Sequence, residues 1–143
     1  MTAPSTGYSG TPLAAKLGYK ARFRVVAIGA PADYRRWLEP LPAGVVFART
    51  ASDKTDLVHL FVTEHEVLAR QLETLRRTLR PDASLWVSWP KKSARVSSTV
   101  TEDTIRRLAL PLGFVDIKVC AVSEVWSGLK LVLRKELRPR HAS

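Results

Sequence analysis

Two short segments carry the side chains most suited to holding a ligand. The first is a Trp-Pro-Lys-Lys turn that ends a predicted strand, and the second is the tip of a predicted hairpin, residues 123–128. The amines of Lys91 and Lys92 would supply positive point charges for a phosphate or a carboxylate. The indoles of Trp89 and Trp126 would supply flat faces for a base or an aromatic ring. These residue types predict a binding site for a small anionic ligand, and they name no reaction.

The parallel strands of an α/β sheet end at one edge, and ligands bind in the crevice at that edge. The two segments should meet there with the ends of the other predicted strands. The predicted crevice therefore comprises Gly29, Tyr34, Thr63, Trp89, Lys91, Lys92, Glu124, Trp126 and Ser127. The alternative interpretation is structural, because tryptophan is highly buried on average. Both indoles would then pack under their loops while the lysines stay solvated.

Positive charge is segregated along the chain. The formal net charge is +10, of which residues 1–32 contribute +4, the turn 91–95 contributes +3 and the segment 134–140 contributes +3. The first and last segments flank strands that should begin or end at the opposite edge of the sheet. A second basic surface is therefore predicted there, formed by Lys20, Arg22, Arg24, Arg134, Arg138 and Arg140. Such segregation favours contact with nucleic acid or phosphate, and the alternative is a solvated surface that keeps the protein soluble.

Residues that would carry catalysis or hold a metal are scattered. No Gly-x-Ser-x-Gly elbow is present to anchor a Ser-His-Asp triad. His59 lies in the middle of a predicted strand, where a hydrogen-bonded core histidine is expected, and Cys120 also lies within a strand. Three histidines and one cysteine form no metal-ligand spacing. We therefore predict neither a catalytic group nor a metal site.

Composition bears on the cellular compartment. No apolar run approaches the ~20 residues that span a bilayer. The first ten residues lack the basic and apolar regions of a secretory signal. One cysteine excludes an internal disulfide and fits a reducing environment. A cytoplasmic protein without a membrane partner is the expectation.

Apolar periodicity predicts strands that alternate with helices. Strands are predicted at 23–29, 45–48, 56–62, 85–89, 114–122 and 129–134. Helices are predicted at 11–18, at 31–41, after residue 63 and in the segment that ends at residue 113. Thr63 with Glu66, and Thr99 with Glu102, have the spacing of capping boxes that begin the last two helices.

This order of elements predicts a single three-layer α/β domain. Its sheet should be doubly wound and mostly parallel, and it should end in an antiparallel hairpin because only residues 123–128 join the last two strands. The domain is expected to span 11–136, between a flexible N-terminal arm at 1–10 and a basic disordered tail at 137–143.

A strand-helix series that closes on an antiparallel hairpin resembles the class I methyltransferase fold in a shortened version. The segments at 24–29, 55–58 and 85–89 look like the first, fourth and fifth strands of that fold. Six segments also resemble a bacterial family of small proteins that is described only as a domain of unknown function. They are Ser9-Gly-Thr-Pro-Leu-Ala14, His59-Leu-Phe-Val-Thr63, Leu85-Trp-Val-Ser-Trp-Pro-Lys-Lys92, Leu108-Ala-Leu-Pro-Leu-Gly113, Val115-Asp-Ile-Lys-Val-Cys-Ala-Val122 and Trp126-Ser-Gly-Leu-Lys130. This resemblance covers nearly the whole chain and implies the fold without an activity.

Two departures bear on S-adenosylmethionine, the cofactor that the methyltransferase resemblance implies. Methyltransferases place a Gly-rich turn after the first strand, whereas this chain has Ile28-Gly-Ala-Pro31, and its proline lacks an N–H. They also end the second strand with an acid for the ribose hydroxyls, where this chain has Phe47-Ala-Arg-Thr50. Asp53 lies further on, in a predicted loop. We therefore expect no cofactor, with S-adenosylmethionine kept as the alternative.

Three functions follow from these observations. The preferred one is a non-catalytic module that binds a small anionic ligand or a protein partner on a degenerate methyltransferase-like scaffold. The second is a basic, nucleic-acid-associated protein, although no helix-turn-helix, zinc finger or aromatic RNA-binding strand is visible. The third is a divergent S-adenosylmethionine-dependent methyltransferase. A monomer is the expected state, and an exposed edge strand would be able to pair.

Overall fold

The computed structural model describes residues 11–138, which form one six-stranded sheet with helices on both of its faces. The strands are β1 (Arg24–Ile28), β2 (Val46–Phe47), β3 (Leu57–Phe61), β4 (Ser84–Pro90), β5 (Phe114–Ala121) and β6 (Trp126–Leu133). The helices are α1 (Leu13–Leu17), α2 (Tyr34–Trp37), α3 (His65–Thr78) and α4 (Glu102–Ala109). Short 3-10 turns lie at Lys92–Ala94, Leu110–Leu112 and Lys135–Leu137.

The strand order is β2-β1-β3-β4-β6-β5. Strands β1 to β4 pair in parallel, whereas β6 runs antiparallel to both of its neighbours, β4 and β5. The prediction of a mostly parallel sheet that closes on an antiparallel hairpin is therefore confirmed. The hairpin turns back inward, so that its second strand and not its first pairs with β4.

Side chains alternate along each strand, so the sheet buries apolar residues on both faces. On the first face, which α3 and α4 cover, the core includes Val58, Leu60, Leu85, Val87, Leu129, Leu68, Leu72 and Ile105. On the second face, which α1 and α2 cover, the core includes Val25, Leu57, Phe61, Trp86, Leu17 and Tyr34. This arrangement confirms the predicted three layers.

The start of α3 differs from the prediction. Glu64, not Thr63, stands at the N-cap of α3, and no side chain caps the helix from that position. Instead, the Oγ1 of Thr99 accepts the N–H of His65 at 2.8 Å. The predicted capping box of Thr63 and Glu66 is therefore wrong, because a hydroxyl from a distant loop takes its place.

The start of α4 lies two residues later than the second predicted box. Thr101 is the N-cap, and its hydroxyl accepts the N–H of Thr104, whose hydroxyl in turn accepts the N–H of Thr101. The pairing of Thr99 with Glu102 is wrong because the Thr99 hydroxyl is already bonded to His65. Helix α2 is also shorter than expected, with four residues.

The ends of the chain are described only in part. The predicted arm, residues 1–10, lies outside the described residues, as do residues 139–143 of the predicted tail. Leu137 belongs to the last 3-10 turn, and Arg138 Nε donates to the carbonyl of Leu133 at 2.9 Å. None of the helices within residues 11–138 is long and apolar enough to cross a membrane.

Candidate functional site

The two segments singled out in the sequence lie side by side at the C-terminal edge of the sheet. Strand β4 ends in the Trp-Pro-Lys-Lys turn, and the antiparallel β6 begins beside it. The register pairs Trp89 with Ser127 and Pro90 with Trp126. The N–H of Lys91 donates to the carbonyl of Val125 at 2.8 Å, which fixes the lysine turn to the hairpin tip.

The two tryptophans do not line one crevice. Neighbouring positions on a strand point to opposite faces, and residues paired across strands share a face. Trp89 therefore lies on the first face, where it packs against that core, and Trp126 lies on the second. There the Trp126 indole contacts Phe61 edge to face, with centroids 5.1 Å apart. The predicted aromatic crevice is corrected on this point, because each partly buried indole contributes to a separate core.

Tyr34 is also displaced from the predicted crevice. Its side chain is only 2% exposed and lies in the core of the second face. Its hydroxyl is 2.8 Å from the hydroxyl of Tyr19 and 2.6 Å from Nδ1 of His59. The placement of Tyr34 at an open crevice is therefore wrong, because α2 packs this residue directly onto the middle of β3.

His59 connects the two tyrosines to a serine on the neighbouring strand. Its Nε2 lies 2.7 Å from the Oγ of Ser88, so both ring nitrogens are hydrogen-bonded. Burial lowers the pKa of His59 to about 3, and burial also raises the pKa of Tyr19 to about 12. The prediction of a hydrogen-bonded core histidine is confirmed.

In this buried hydrogen-bond network, Ser88 and His59 are as close as a nucleophile and its base, but a substrate has no access to them. A serine hydroxyl within hydrogen-bond reach of a histidine is the arrangement that activates a nucleophile. Both Ser88 and His59 are 0% exposed. The hydrogen-bond network therefore holds α2 against the sheet, and burial keeps the imidazole neutral. Sequence reasoning missed Ser88 and Tyr19, because nothing in local periodicity pairs residues of different strands.

The turn after β1 contains a single glycine that packs closely against β3. Gly29 has a positive φ of 70°, and a Cβ at this position would lie 2.8 Å from the carbonyl oxygen of Phe61. A side chain at this position would thus meet the backbone of β3. The glycine is required for the close approach of two strands.

The end of β2 offers no carboxylate for a ribose. Arg49 and Thr50 follow this strand and are exposed. Asp53 lies in the turn in which Thr55 Oγ1 accepts the N–H of Ser52 at 2.9 Å, just before β3 begins. That turn leads into the N-terminal end of β3, at the edge opposite the proposed cofactor site. The residues present in this structure therefore do not fit S-adenosylmethionine in the usual manner.

Three cations at the C-terminal edge lack acidic partners. Among residues 11–138, no carboxylate oxygen lies within 4.0 Å of the charged groups of Lys91, Lys92 or Arg95. Lys92 and Arg95 are exposed, and Lys91 is partly buried. Glu124 of the hairpin tip is exposed and forms no ion pair with them. The turn therefore presents positive charge that the described chain does not neutralise.

A cleft opens nearby, between the start of α3 and the loop that follows the lysine turn. Its volume is about 490 Å³, and it is lined by Thr63, Glu64, His65, Glu66, Ser97, Ser98 and Thr99. The N–H of Thr99 donates to the carbonyl of Thr63 at 2.9 Å, which joins the two walls. Thr63 thus lies in the cleft, but the two glutamates make its walls unfavourable for an anion.

Three of the basic residues predicted for the opposite edge, Arg22, Arg24 and Arg134, lie at that edge, in two groups. Arg24 begins β1, and Arg22 precedes it, whereas Arg134 follows the end of β6. Strands β3 and β4 separate the two groups, a distance of about 14 Å. Lys20 is exposed beside the first group, and Arg140 lies outside the described residues. No group of three or more His, Cys, Asp or Glu side chains within residues 11–138 is suited to a metal.

Comparison with known proteins identifies the fold. No protein-family model matches the chain, and no curated protein matches its sequence. A methyltransferase from Aquifex aeolicus, described as dependent on S-adenosylmethionine, has a TM-score of 0.62 at 15% identity, over 85% of this chain and 88% of that one. Aeropyrum pernix fibrillarin with natively bound S-adenosyl-L-methionine has a TM-score of 0.54 at 11% identity, over 85% and 69%.

The fibrillarin pre-rRNA processing protein of Methanococcus jannaschii has a TM-score of 0.52 at 10% identity, over 89% of this chain and 70% of that one. At these identities the likeness establishes the fold and not the chemistry. The chain has a truncated methyltransferase-like α/β fold.

Proposed function

We propose that this chain is a non-catalytic module that binds a small anionic ligand at the C-terminal edge of a methyltransferase-like sheet. The observation that carries the proposal is the fixed lysine turn. The bond from Lys91 to Val125 holds the turn against the hairpin tip, and the charges of Lys91, Lys92 and Arg95 have no carboxylate within 4.0 Å in residues 11–138. Lysine amines are compact donors that bind phosphate as point charges.

The absence of catalysis in this proposal rests on two features of the site. The buried chain through His59 and Ser88 has no opening to solvent, so it offers no base to a substrate. The turn after β1 has a single glycine, which is followed by Ala30 and Pro31, and no acid directly follows β2, so the usual cofactor contacts are missing. A cytoplasmic location belongs to the same proposal, since the single cysteine fits a reducing compartment.

Adenosine monophosphate and S-adenosylhomocysteine form a matched pair of probes, because they share adenosine and only the first carries a phosphate. We expect calorimetric titration to give saturable one-site binding of adenosine monophosphate and no heat for S-adenosylhomocysteine. The variant Lys91→Ala/Lys92→Ala should lose that binding while unfolding at the wild-type urea concentration. The control Lys54→Ala/Lys135→Ala removes the same charge from two exposed lysines elsewhere and should bind normally.

Equal binding by the two double variants would refute the assignment of the ligand to this turn. The same holds if neither adenosine monophosphate nor inorganic pyrophosphate binds the wild-type protein at millimolar concentration. In that case the lysine turn would be a contact for a protein partner, the other form of a binding module.

A divergent methyltransferase is the second candidate, and one observation favours it. The solved structures that share the fold include a fibrillarin with bound S-adenosyl-L-methionine, and that match covers 85% of this chain. Binding of S-adenosylhomocysteine would bring this candidate forward, because a cofactor would then be held without the usual glycine cradle. The two candidates are thus separated by which of the two adenosine probes gives heat.

A further inference from the structure

A cluster of lysines forms on the second face of the sheet, away from the C-terminal edge. The register of β5 and β6 places Lys118 directly opposite Lys130. The Nζ of Lys118 donates to the carbonyl of Lys16 at 3.0 Å, at the end of α1. The Nζ of Lys130 lies 3.4 Å from the position that a Cβ on Gly18 would occupy. The end of α1 therefore gathers lysines that are distant in sequence.

The position of α1 is fixed, so this gathering is a property of the fold. The indole N–H of the buried Trp86 donates to the carbonyl of Leu17 at 2.8 Å. Gly18 ends the helix with a left-handed φ of 88°, and the N–H of Tyr19 returns to the carbonyl of Ala14 at 2.9 Å. A side chain at position 18 would contact the Lys130 amine, so the glycine leaves room for it.

The charges of Lys20, Lys118 and Lys130 are not compensated by a carboxylate of residues 11–138. Among residues 11–138, no carboxylate oxygen lies within 4.0 Å of the amines of Lys20, Lys118 or Lys130. Partial burial lowers the pKa of Lys130, and the charges of Lys118 and Lys20 lower it further. Like charges directly opposite each other on paired strands are destabilising. The fold therefore holds several ammonium groups together at a cost in stability.

The carbonyl end of α1 accounts for only part of this arrangement. Helix C-termini attract cations, and this explains why the Lys118 amine lies there. An ammonium group has three donors, however, and only one bond from Lys118 to the described chain is present. The side-chain amine of Lys130, which is partly buried, makes no hydrogen bond to a residue in 11–138. The lysine amines at the end of α1 therefore have more N–H donors and more positive charge than the carbonyl groups of α1 can satisfy.

We propose that the lysine cluster, formed by Lys20, Lys118 and Lys130 with Lys16 at its rim, is an anion site for a phosphate group. A phosphate would accept hydrogen bonds from several amines and neutralise the repulsion between the cross-strand pair. The site is separate from the lysine turn, since Lys130 lies three residue steps along β6 from Ser127, about 10 Å. The phosphate belongs either to a small metabolite or to a nucleic-acid backbone.

The first test compares stability in inorganic phosphate and in chloride at equal ionic strength. A ligand that binds only the folded state raises the unfolding midpoint. The wild-type protein should unfold at a higher temperature in phosphate, and this shift should be smaller in Lys118→Gln and Lys130→Met, in which only the lysine turn remains to bind the anion. Both variants should also be more stable than wild type in chloride, because the like-charge pair is gone. Lys54→Gln, a change of an exposed lysine elsewhere, should keep the wild-type shift.

The second test measures how phosphate changes the reactivity of individual lysines in the wild-type protein. Acylation by acetic anhydride is measured residue by residue with mass spectrometry, and phosphate should slow the reaction of Lys130 but not that of Lys54. At ten times the dissociation constant the rate at Lys130 should fall about tenfold, in proportion to the free sites. This measurement does not depend on the folding of a variant.

The source of the phosphate is decided by adding a short DNA duplex. Duplex binding that is lost in Lys118→Gln, with a log–log salt slope of about −0.9 per neutralised phosphate, would support a nucleic-acid backbone. Phosphate protection without duplex binding would support a small metabolite. Equal stability in phosphate and chloride, with no protection of Lys130, would overturn the proposal. Because Lys91 and Lys92 are intact in every variant, this result is independent of the proposed function.

Discussion

The buried imidazole of His59 should make the protein lose stability in mild acid. Its ring is fully buried and bonded on both sides, to Tyr34 and to Ser88. Burial lowers the pKa of His59 in the folded protein to about 3. The same side chain in an unfolded chain titrates near pH 6.5. Below that pH, His59 is therefore protonated in the unfolded state but stays neutral in the folded state.

The sign and size of the effect follow from linkage. Stability rises with pH wherever the unfolded state binds more protons, so the free energy of unfolding must fall as the pH falls from 6.5 toward 3. The slope approaches about 1.4 kcal/mol per pH unit for one group. Integration from pH 7 to pH 5 gives a loss of about 2 kcal/mol from His59 alone.

Urea unfolding at pH 7, 6 and 5, followed by tryptophan fluorescence, measures this loss. Carboxylates interfere little in this window, because unfolded aspartates titrate near pH 4 and the folded pKa values of Asp56 and Asp116 are lower still. The variant His59→Gln should be less stable at pH 7 and should show a flatter dependence on pH. The exposed His65 provides the control for the substitution itself, since His65→Gln removes an imidazole that is not buried.

Two results would refute the reasoning. One is a wild-type loss below about 0.5 kcal/mol between pH 7 and pH 5, a quarter of the value expected from linkage. The other is an unchanged slope in His59→Gln. If that variant fails to fold, the NMR shift of the His59 ring in the wild-type protein gives the same answer, because it should stay constant from pH 7 to pH 5.

Three further changes test other contacts. Gly29→Ala should cost about 2 kcal/mol or more in urea unfolding, because a left-handed backbone alone costs ~1–2 kcal/mol and the new Cβ meets the β3 carbonyl; an unchanged midpoint would contradict the close approach. Thr101→Ala should cost about 1 kcal/mol as a lost cap, whereas Thr63→Ala should be nearly neutral; the reverse order would restore the capping box predicted from sequence. Tyr34→Phe should cost about 1–3 kcal/mol, because two buried polar partners lose their bond; a neutral thermal midpoint would count against the buried chain.

The fold was predictable because its signals are local. Buried parallel strands appear as short apolar runs, and the stripes of α3 and α4 repeat at helical spacing. The caps were not predictable to the residue, because a tertiary bond decides them. Thr99 reaches across to His65, which moves the cap of α4 to Thr101.

The meeting of the two segments was predictable, but the sheet faces to which their side chains point were not. The end of β4 and the hairpin tip meet as the topology requires, yet pairing across the strands places Trp89 and Trp126 on opposite faces. The helical spacing of Tyr34 in the sequence is compatible with a position in the core or at a crevice. Only the packing of α2 onto β3 shows that this side chain lies in the core.

The lysine cluster depends on an irregularity that sequence does not reveal. Regular alternation would put Asp116 and Lys118 on one face of β5. A register shift between them pairs Asp116 with Leu131 and Lys118 with Lys130. The carboxylate therefore faces Arg106 of α4, and the amine faces α1 on the other side.

The most direct test of the central claim is a calorimetric titration of the wild-type protein with S-adenosylhomocysteine at moderate salt. The account holds that the chain keeps the methyltransferase-like sheet but lacks the usual cofactor contacts, since Ala30 and Pro31 follow Gly29 and no acid directly follows β2. It predicts no heat and no thermal stabilisation at millimolar ligand. Saturable one-site binding at micromolar affinity would contradict it and would direct attention to a methyl acceptor.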